Sequence, residues 1–492
     1  MRSATFALAA AAVIALSGSG YATYVLVHPP TAPPSLDAMP MTGMKSGDPS
    51  DDEMMAGAHD WHGGTGTIPS LADALTKLER RDSIVIQGDK AFNPANGVRS
   101  GSGTFEDPYV ISGWYVDTVL VKDTSRAFVF SGNYVSSILV LDWTGQGGYV
   151  HHNHLENLRT NRNVARTGAP SATVIENNEI LQVQELRHFD GEVRNDTIGN
   201  PDPVQRLLQP DVIFNIAGLN GAGIHDNLVY GGVDMKIHGH HHSDAPGEPS
   251  HNHAATHVND TNPDGTKEDH QVRYVDFEFY GNHLVDDKFG LRYNDLNHAG
   301  DDREATSEQN PDLELPHVHH TTIRIHDNLI EGATLHVATV NAPDERHLPG
   351  ESAMLDVYNN TVAKPVAGNG IQVQDVRDAM VMIHDNHVQK GSLQTGATAA
   401  IELLRFKNST VVVMDNDLGA YQYGVQAHDF DAKTNWTVAD NSGPGISQMV
   451  FWDSSVANPP TRGDGGNMTM DEGHGHSDLA GLAATAPRLG GL

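Results

Sequence analysis

The sequence predicts an all-β fold, a parallel β-solenoid, and a recurring six-residue unit is the main reason. The unit reads apolar–x–(Asp/Asn/Gly)–Asn–x–apolar and includes three copies of Ile-His-Asp-Asn, at 224–227, 325–328 and 383–386. Successive copies are mostly separated by one period of about 25 residues, or by two periods plus an insertion. Such a period with short strands is typical of a coil that completes one turn per repeat. The anchoring asparagines are Asn133, Asn153, Asn178, Asn227, Asn282, Asn328, Asn360, Asn386, Asn416 and Asn441.

Each position of the unit has a predicted structural role. The residue three positions before the asparagine is apolar in all ten copies, so this column should point into the core. The asparagine itself should lie at a bend, because asparagine tolerates the left-handed backbone conformation of a sharp corner. Stacked asparagines can also form an amide ladder along the coil axis.

The residue two positions before each asparagine should face outward, and this column is rich in histidine and tyrosine. Two interpretations stay open: a solvated stripe without a role, or a ligand-binding face of imidazole and phenol groups. The outward column reads Ser131, His151, Glu176, His225, Tyr280, His326, Tyr358, His384, Met414 and Ala439.

The N-terminal segment predicts export. Residues 5–27 carry no charge, and 1–27 is either a signal peptide with a small-x-small site at 20–22 or a membrane anchor. Both alternatives place the rest of the chain in an extracytoplasmic location. Residues 28–68 read as a linker rich in proline, methionine and acid, 69–455 as the solenoid, and 456–492 as a flexible tail. A short capping helix is predicted over 70–81, with Ser70 at the N-cap and an apolar spacing at Leu71, Leu75 and Leu78.

Composition excludes several classes of function. The net charge is −32, from 31 basic and 63 acidic residues, so the surface should repel nucleic acid and anionic lipid. Contact with a membrane is expected only through residues 5–27, if they are retained. The chain has no cysteine, which excludes disulfides, thiolate zinc sites and cysteine nucleophiles.

Histidine and methionine predict binding of a transition metal. The 29 histidines are clustered, above all in an insertion at 232–271, and seven of the 14 methionines lie in the linker 28–68 and the tail 456–492. Thioether suits Cu(I), and imidazole suits Cu(II) and zinc, so copper is the predicted cofactor, with zinc or nickel as alternatives. The alternative interpretation is that the His- and Met-rich ends are low-complexity segments without a function. The predicted ligands are His238, His240, His241, His242, His251, His253, His257, His317, His319, His320, Met39, Met41, Met44, Met468, Met470, His474 and His476, with the outward histidines His151, His225, His326 and His384.

Residues 83–135 closely resemble the N-terminal module of archaeal right-handed parallel β-helix proteins, the pectate-lyase-like solenoids known as NosD-like or periplasmic copper-binding. The resemblance rests on Asn96-Gly97-Val98, Gly101-Ser102-Gly103-Thr104, the stretch 107–111 and Gly113-Trp114. It implies a single-stranded right-handed parallel β-helix of about 12–13 coils, exported, with a groove along one face. The family's functions include carbohydrate binding or cleavage and accessory roles in the maturation of copper enzymes.

Two alternative functions stay open beside metal binding. A polysaccharide lyase or glycoside hydrolase would need clustered carboxylates, or a basic residue beside Ca²⁺, and Asp375, Arg377 and Asp378 are the candidate set. Basic residues are scarce, which argues against an acidic polymer as substrate. The third class is a structural surface or adhesion protein, whose solenoid would present a carbohydrate or protein partner.

Overall fold

The computed structural model describes residues 67–144, 148–163, 173–189, 191–206, 212–216, 222–237, 256–261, 267–285, 293–297, 318–338, 352–363, 369–391, 399–458 and 460–462. The chain divides into two compact units, 1–58 and 59–492, and all of these residues belong to the second. The predicted segments 1–27, 28–66 and 463–492 therefore lie outside the described residues.

The described part of the chain is predominantly β-strand, with two short helices. The helices are α1 (Leu71–Lys77) and α2 (Pro203–Arg206), and single 3₁₀ turns lie at Asp89–Ala91 and Pro94–Asn96. The strands of the N-terminal half are β1 (Glu79–Gln87), β2 (Tyr109–Ser112), β3 (Trp114–Thr124), β4 (Phe128–Ser131), β5 (Tyr134–Thr144), β6 (Gly148–His151), β7 (His154–Leu155), β8 (Leu158–Asn163), β9 (Thr173–Glu176), β10 (Glu179–Ile180), β11 (Val183–Phe189), β12 (Gly191–Arg194), β13 (Thr197–Ile198), β14 (Val212–Ile216), β15 (Ala222–His225), β16 (Leu228–Tyr230) and β17 (Val233–Ile237). The remaining strands are β18 (Thr256–Thr261), β19 (Lys267–Tyr280), β20 (His283–Val285), β21 (Tyr293–Asn297), β22 (Val318–His326), β23 (Leu329–Glu331), β24 (Thr334–Ala338), β25 (Ser352–Tyr358), β26 (Thr361–Ala363), β27 (Ile371–Arg377), β28 (Ala379–His384), β29 (His387–Gln389), β30 (Ala399–Lys407), β31 (Thr410–Met414), β32 (Asp417–Leu418), β33 (Tyr423–Phe430), β34 (Asn435–Ala439), β35 (Gln448–Trp452) and β36 (Thr461–Arg462).

These strands form two long parallel sheets, which confirms the predicted all-β, solenoid-like architecture. Sheet 1 has 14 strands, and its parallel path runs β2-β4-β6-β9-β12-β15-β19-β22-β25-β28-β31-β34-β36. Sheet 2 has 22 strands. In most coils a strand of two or three residues directly follows the corner asparagine, and a longer strand comes after it; both kinds belong to sheet 2. Each coil contributes one strand to sheet 1, and we call each such level a rung.

The core is the predicted apolar column together with its partners from sheet 2. All ten residues three positions before the anchoring asparagines are buried, with exposures from 0% at Phe130 to 4% at Phe279. In nine copies the apolar residue two positions after the asparagine is also buried, at 0% exposure in Val135 and Leu418, for example. Aliphatic side chains at the same level of successive coils therefore stack into one continuous interior.

The asparagine ladder is present, but the corner lies one residue earlier than the sequence predicts. The side-chain oxygen of each ladder asparagine accepts from the backbone N–H of the preceding one; for example, Asn328 N–H donates to Asn360 Oδ1 over 3.2 Å. The left-handed residue is the one before each asparagine, such as Asp226 with φ 56° and Asp327 with φ 56°. The prediction of a left-handed asparagine was wrong, because an extended asparagine can point its amide inward while the preceding residue turns the chain.

One rung of the ladder is not an asparagine. Asn178 N–H donates to Asp196 Oδ1 over 2.6 Å, and Asp196 N–H donates to Asn227 Oδ1 over 2.9 Å. The 49-residue interval between the two asparagines thus contains a complete coil. The longer interval from Asn227 to Asn282 contains a single coil with an insertion, because these two residues are adjacent in the ladder.

The N-terminal module positions the first coil. Trp114 donates from its indole N–H to the carbonyl of Gly97 over 2.8 Å, and its backbone N–H starts the ladder by donating to Asn133 Oδ1. Gly101 has φ 96°, and a Cβ there would lie 2.0 Å from the carbonyl oxygen of Pro108, so only glycine fits. The helix in front of this module is shorter than predicted, because residues 79–81 join β1, and Leu71 and Leu75 are exposed instead of packed.

Candidate functional site

The outer face of sheet 1 carries two adjacent columns of polar side chains. Because the strands are parallel and in register, equivalent positions of successive coils lie directly above one another, about 4.8 Å apart. We call the polar part of these columns the titratable face. Its first column is His151, Glu176, Arg194, His225, Tyr280, His326, Tyr358 and His384, and its second column, two positions earlier on the strands, contributes Tyr149, Glu192, Glu278, Arg324 and Asp356.

Five rings of the first column stack face to face. The ring centroids of His225 and Tyr280 are 4.6 Å apart, those of Tyr280 and His326 5.0 Å, those of His326 and Tyr358 4.6 Å, and those of Tyr358 and His384 5.2 Å. The planes of neighbouring rings differ by at most 5°. The predicted outward column is therefore an ordered stack of alternating imidazoles and phenols.

Each histidine of the stack is oriented by the corner aspartate that follows it. Nδ1 of His225 lies 2.9 Å from Asp226 Oδ2, and the same pairing occurs at His326 with Asp327 and at His384 with Asp385. A carboxylate accepts a hydrogen bond, so Nδ1 carries the hydrogen. The left-handed turn at the aspartate brings its side chain back over the preceding ring, which explains why the sequence repeats His-Asp-Asn.

The second column adds carboxylates and guanidinium groups beside the rings. Arg324 Nη1 lies 2.8 Å from Glu278 Oε1 on the neighbouring rung. Asp356 Oδ1 lies 3.1 Å from Nε2 of His384. Burial raises the pKa of Asp356, although His384 and Arg324 act in the opposite direction. A buried carboxyl group with a raised pKa can hold a proton and donate it in a hydrogen bond.

The N-terminal end of the face is more tightly buried. Glu176 accepts a hydrogen bond from the Tyr149 hydroxyl and lies 2.6 Å from Arg194 Nε. Burial alone would raise the pKa of Glu176, but these two partners outweigh it and lower the pKa. Burial lowers the pKa of His151 to about 4, so this imidazole is neutral at pH 7.

The titratable face has clear limits at both ends. The rung before Tyr149 and His151 carries Val129 and Ser131 in the two columns. The rungs after His384 carry Val412 with Met414, and then Thr437 with Ala439. In these two columns the ionisable side chains of the described residues are thus confined to eight consecutive rungs of sheet 1.

The predicted metal ligands are only partly among the described residues. The structure brings His151, His225, His326 and His384 into one column, but the stacked histidines alternate with tyrosines and are about 9.6 Å apart, two strand spacings. His257 lies on β18 and His319 and His320 on β22, whereas the other histidines and all the methionines predicted as ligands lie outside the described residues. No group of three or more potential ligands that could hold a metal ion occurs within the described ranges.

The alternative catalytic set lies at a different corner of the coil. Asp375 and Asp378 have left-handed φ values of 57° and 48°, at the turn from β27 to β28. Asp375 Oδ2 is 2.7 Å from Nη2 of Arg405, and Arg377 Nε is 3.3 Å from Asp378 Oδ2. Each carboxylate is thus paired with a guanidinium at a left-handed turn, an arrangement that stabilises the corner.

A second polar cluster lies on sheet 2. Asn369 Nδ2 donates to Glu402 Oε2 over 2.6 Å, and His428 Nδ1 is 2.6 Å from Asp453 Oδ2. The pKa of Glu402 is raised, because its burial outweighs the opposite effect of the nearby His428. Sequence reasoning missed both this cluster and the second column of sheet 1. The second column could have been found, because its residues lie two positions before the outward column in every copy of the repeat.

No protein family, no curated protein and no solved structure matches this chain. Among the described residues, no helix is long and apolar enough to cross a membrane.

Proposed function

We propose that the protein is an exported, right-handed parallel β-helix protein that binds a polysaccharide along the titratable face. A right-handed coil is favoured because about 98% of parallel crossover connections in known folds have that hand. Export is supported by the apolar segment 5–27. The binding function is carried by one observation, the continuity of hydrogen-bonding side chains over eight rungs.

The length of the face favours a polymer over a small ligand. Seven strand spacings amount to about 34 Å, far longer than one sugar or a metabolite. The side chains present are imidazole, phenol, carboxylate and guanidinium, which together donate to and accept from hydroxyl groups. A flat array of such groups, held by backbone pairing on rigid strands, is preorganised for an extended chain rich in hydroxyls.

The charge of the face favours a neutral or cationic polymer. Four carboxylates, Glu176, Glu192, Glu278 and Asp356, stand against the guanidinium groups of Arg194 and Arg324. Three further aspartates flank the ring stack at the corners, and the whole chain has a net charge of −32. An acidic polysaccharide would be repelled by this surface.

Binding to a panel of soluble polysaccharides tests the proposal. The double variant Arg324→Ala/Asp356→Ala removes two polar groups from the sixth and seventh of the eight rungs, and we expect it to bind the preferred polysaccharide at least about tenfold more weakly. The matched control is Val412→Ala, in the same column but beyond the face, which should leave affinity unchanged. Affinity electrophoresis or titration calorimetry of the full chain gives the comparison. Equal loss in both variants, or the absence of binding to any polysaccharide, would contradict the proposal.

A second proposed function is binding of copper, or of zinc or nickel, through the His- and Met-rich segments together with the histidines of the outward column. The observation that favours it is the pairing of His225, His326 and His384 with aspartates through Nδ1. Histidine ligands of metals commonly donate their other ring N–H to a carboxylate, which leaves Nε2 as the ligand atom. At His384 this atom also faces Asp356, at a separation that two ligands of one ion can have.

Metal content of the loaded full chain tests this second function. One variant changes the six histidines between 238 and 253 to asparagine and the methionines of both ends to leucine, at constant length. We expect it to bind substantially less Cu(I) and Cu(II) than the wild type, because imidazole and thioether are the ligands that these ions prefer. A second variant replaces His225, His326 and His384 only, and we expect it to lose a smaller part of the bound copper, because it removes only the ligands of the ring stack. Unchanged copper content in the first variant would refute binding through the His- and Met-rich segments.

A further inference from the structure

The ring stack on the titratable face has a period of two rungs. His225, His326 and His384 occupy the first, third and fifth rungs of the stack, and Tyr280 and Tyr358 occupy the rungs between them. Equivalent side chains therefore recur every two strand spacings, about 9.6 Å. The corner aspartates follow the same period, because one accompanies each histidine.

The stack can offer only its ring edges to a ligand lying along it. Neighbouring rings are nearly parallel and 4.6–5.2 Å apart, so the faces between them cover one another. Face-on packing of a sugar, which needs a free ring face, is therefore excluded between the rungs. What remains are the polar atoms at the edges, the phenol hydroxyl and the imidazole Nε2, which at His384 is already 3.1 Å from Asp356 Oδ1. The ligand thus meets two different hydrogen-bonding groups in strict alternation.

We propose that the ligand is a flat β-1,4-linked glycan of neutral or amino sugars, which lies parallel to the ring stack. This inference rests on the proposed polysaccharide-binding function and names its substrate class. In a flat β-1,4-linked chain each sugar is turned over relative to the last, so the chemical repeat is two sugars. That repeat is about 10 Å, close to two strand spacings. Sugars of one orientation meet imidazoles, and sugars of the other meet phenols.

The charges beside the stack select among such glycans. Glu278 and Asp356 lie in the second column, and Asp226, Asp327 and Asp385 lie at the corners. Only Arg324 supplies a positive side chain in the second column at these five rungs. Carboxylated sugars are disfavoured next to this set, whereas an ammonium group on every sugar would be attracted by it.

Oligosaccharides of defined length and linkage test the inference by titration calorimetry with the full chain. The five stacked rungs span about 19 Å, which corresponds to four sugars. For cello- and chitosan oligosaccharides we expect affinity to rise at least about tenfold from the dimer to the tetramer, because the tetramer meets both histidine–tyrosine periods. Maltotetraose, with the curved α-1,4 linkage, and oligogalacturonate, with its carboxylates, should bind at least about tenfold more weakly.

Removal of the phenol hydroxyl groups tests directly whether alternate sugars meet the tyrosines. The double variant Tyr280→Phe/Tyr358→Phe removes two hydroxyl groups and keeps the rings, and it should weaken binding of the β-1,4-linked tetramer about tenfold without lowering Tm. The matched control is Tyr115→Phe, on β3 of sheet 2, which should bind as the wild type does. Circular dichroism confirms that the variants fold.

The outcomes separate this inference from the proposed function. Binding that depends on the titratable face but is equally tight for maltotetraose or oligogalacturonate would overturn the β-1,4 register and leave polysaccharide binding standing. Binding of β-1,4-linked tetramers that is unaffected by the double phenylalanine variant would also overturn the register. If no glycan binds in a manner that depends on the face, both the inference and the proposed function fail.

Discussion

At the scale of single residues, Asp196 is the exception in an otherwise amide ladder. Its Oδ1 accepts from the backbone N–H and the side chain of Asn178, as an asparagine oxygen would. Its Oδ2 is buried and has no hydrogen-bond partner among the described residues. In the other rungs this position is an NH₂ group that donates to a carbonyl oxygen of the preceding coil, as Asn178 does to Val150. A protonated carboxyl group can make the same donation, whereas an ionised one would face acceptors.

The protonation of Asp196 leads to a prediction about stability and pH. Burial raises the pKa of Asp196 to about 8, while the nearest charges, on Glu176 and Arg194, oppose one another. Between about pH 4 and pH 8 the unfolded chain has lost this proton and the folded chain retains it, so stability falls as pH rises, by up to about 1.4 kcal/mol per unit. Asp196→Asn should remove this loss and raise the free energy of unfolding at pH 7 by about 1–3 kcal/mol, measured by denaturant titration.

A matched substitution in the same ladder provides the control. Asn360→Asp places a second carboxyl group in an equivalent buried position, between Asn328 and Asn386. Its free energy of unfolding should fall more steeply with pH than that of the wild type. Identical pH dependence of the wild type and Asp196→Asn would show that Asp196 is ionised in the folded protein.

At the scale of elements, the sequence was sufficient for the repeats that keep their asparagine. Phe130, Ile325 and Val438 are examples of the core column that the pattern predicted and the structure buries. Two periods were predicted for the longest intervals; this is correct between Asn178 and Asn227 but wrong between Asn227, Asn282 and Asn328, which are consecutive rungs. The ladder position of Asp196 was missed because the pattern required an amide, whereas the ladder requires only an oxygen that accepts from the previous rung. The helix was predicted too long because pairing of β1 with β3 competes for residues 79–81, a tertiary effect that local spacing does not contain.

The candidate site could be predicted only in part for a similar reason. The outward column was found by aligning copies of the repeat, which gives the direction of each side chain. The stacking of its rings and the role of Glu278, Arg324 and Asp356 depend on which coils are neighbours. Long insertions hide this from the sequence: Tyr280 lies directly next to His225 in the sheet, although 55 residues separate them in the chain.

At the scale of the whole molecule, register is independent of the length of the insertions. Asn227 donates to Asn282, and Asn282 to Asn328, across the two longest connections within single coils. The antiparallel pairing of β18 with β19 returns the chain to sheet 1 before the rung is formed. The ladder and strand pairing therefore fix which coils are adjacent, and the connections need only be long enough to span the gap.

Because register does not depend on the length of the insertions, we expect that the insertion at 232–271 can be shortened. Replacement of residues 241–252 by a short Gly/Ser linker should leave Tm within about 3 °C of the wild type, because loop length affects closure entropy only weakly. Differential scanning calorimetry gives the comparison. The control is deletion of residues 196–226, which removes one whole coil including its ladder position, Asp196. A large drop in Tm for the linker variant would mean that the insertion contributes to the stability of the coil.

The ladder also has a direction. From Trp114 to Asn441 the backbone N–H of each ladder residue donates to the side-chain oxygen of the next rung towards the C-terminus, and no described rung reverses the direction of this bond. The two ends of the ladder therefore differ: Asn441 ends it with an amide, whereas Trp114 begins it with a backbone donor and has no side-chain oxygen that could accept. The ladder of one copy therefore cannot continue into that of a second copy, because Trp114 presents no side-chain oxygen to the backbone N–H of Asn441.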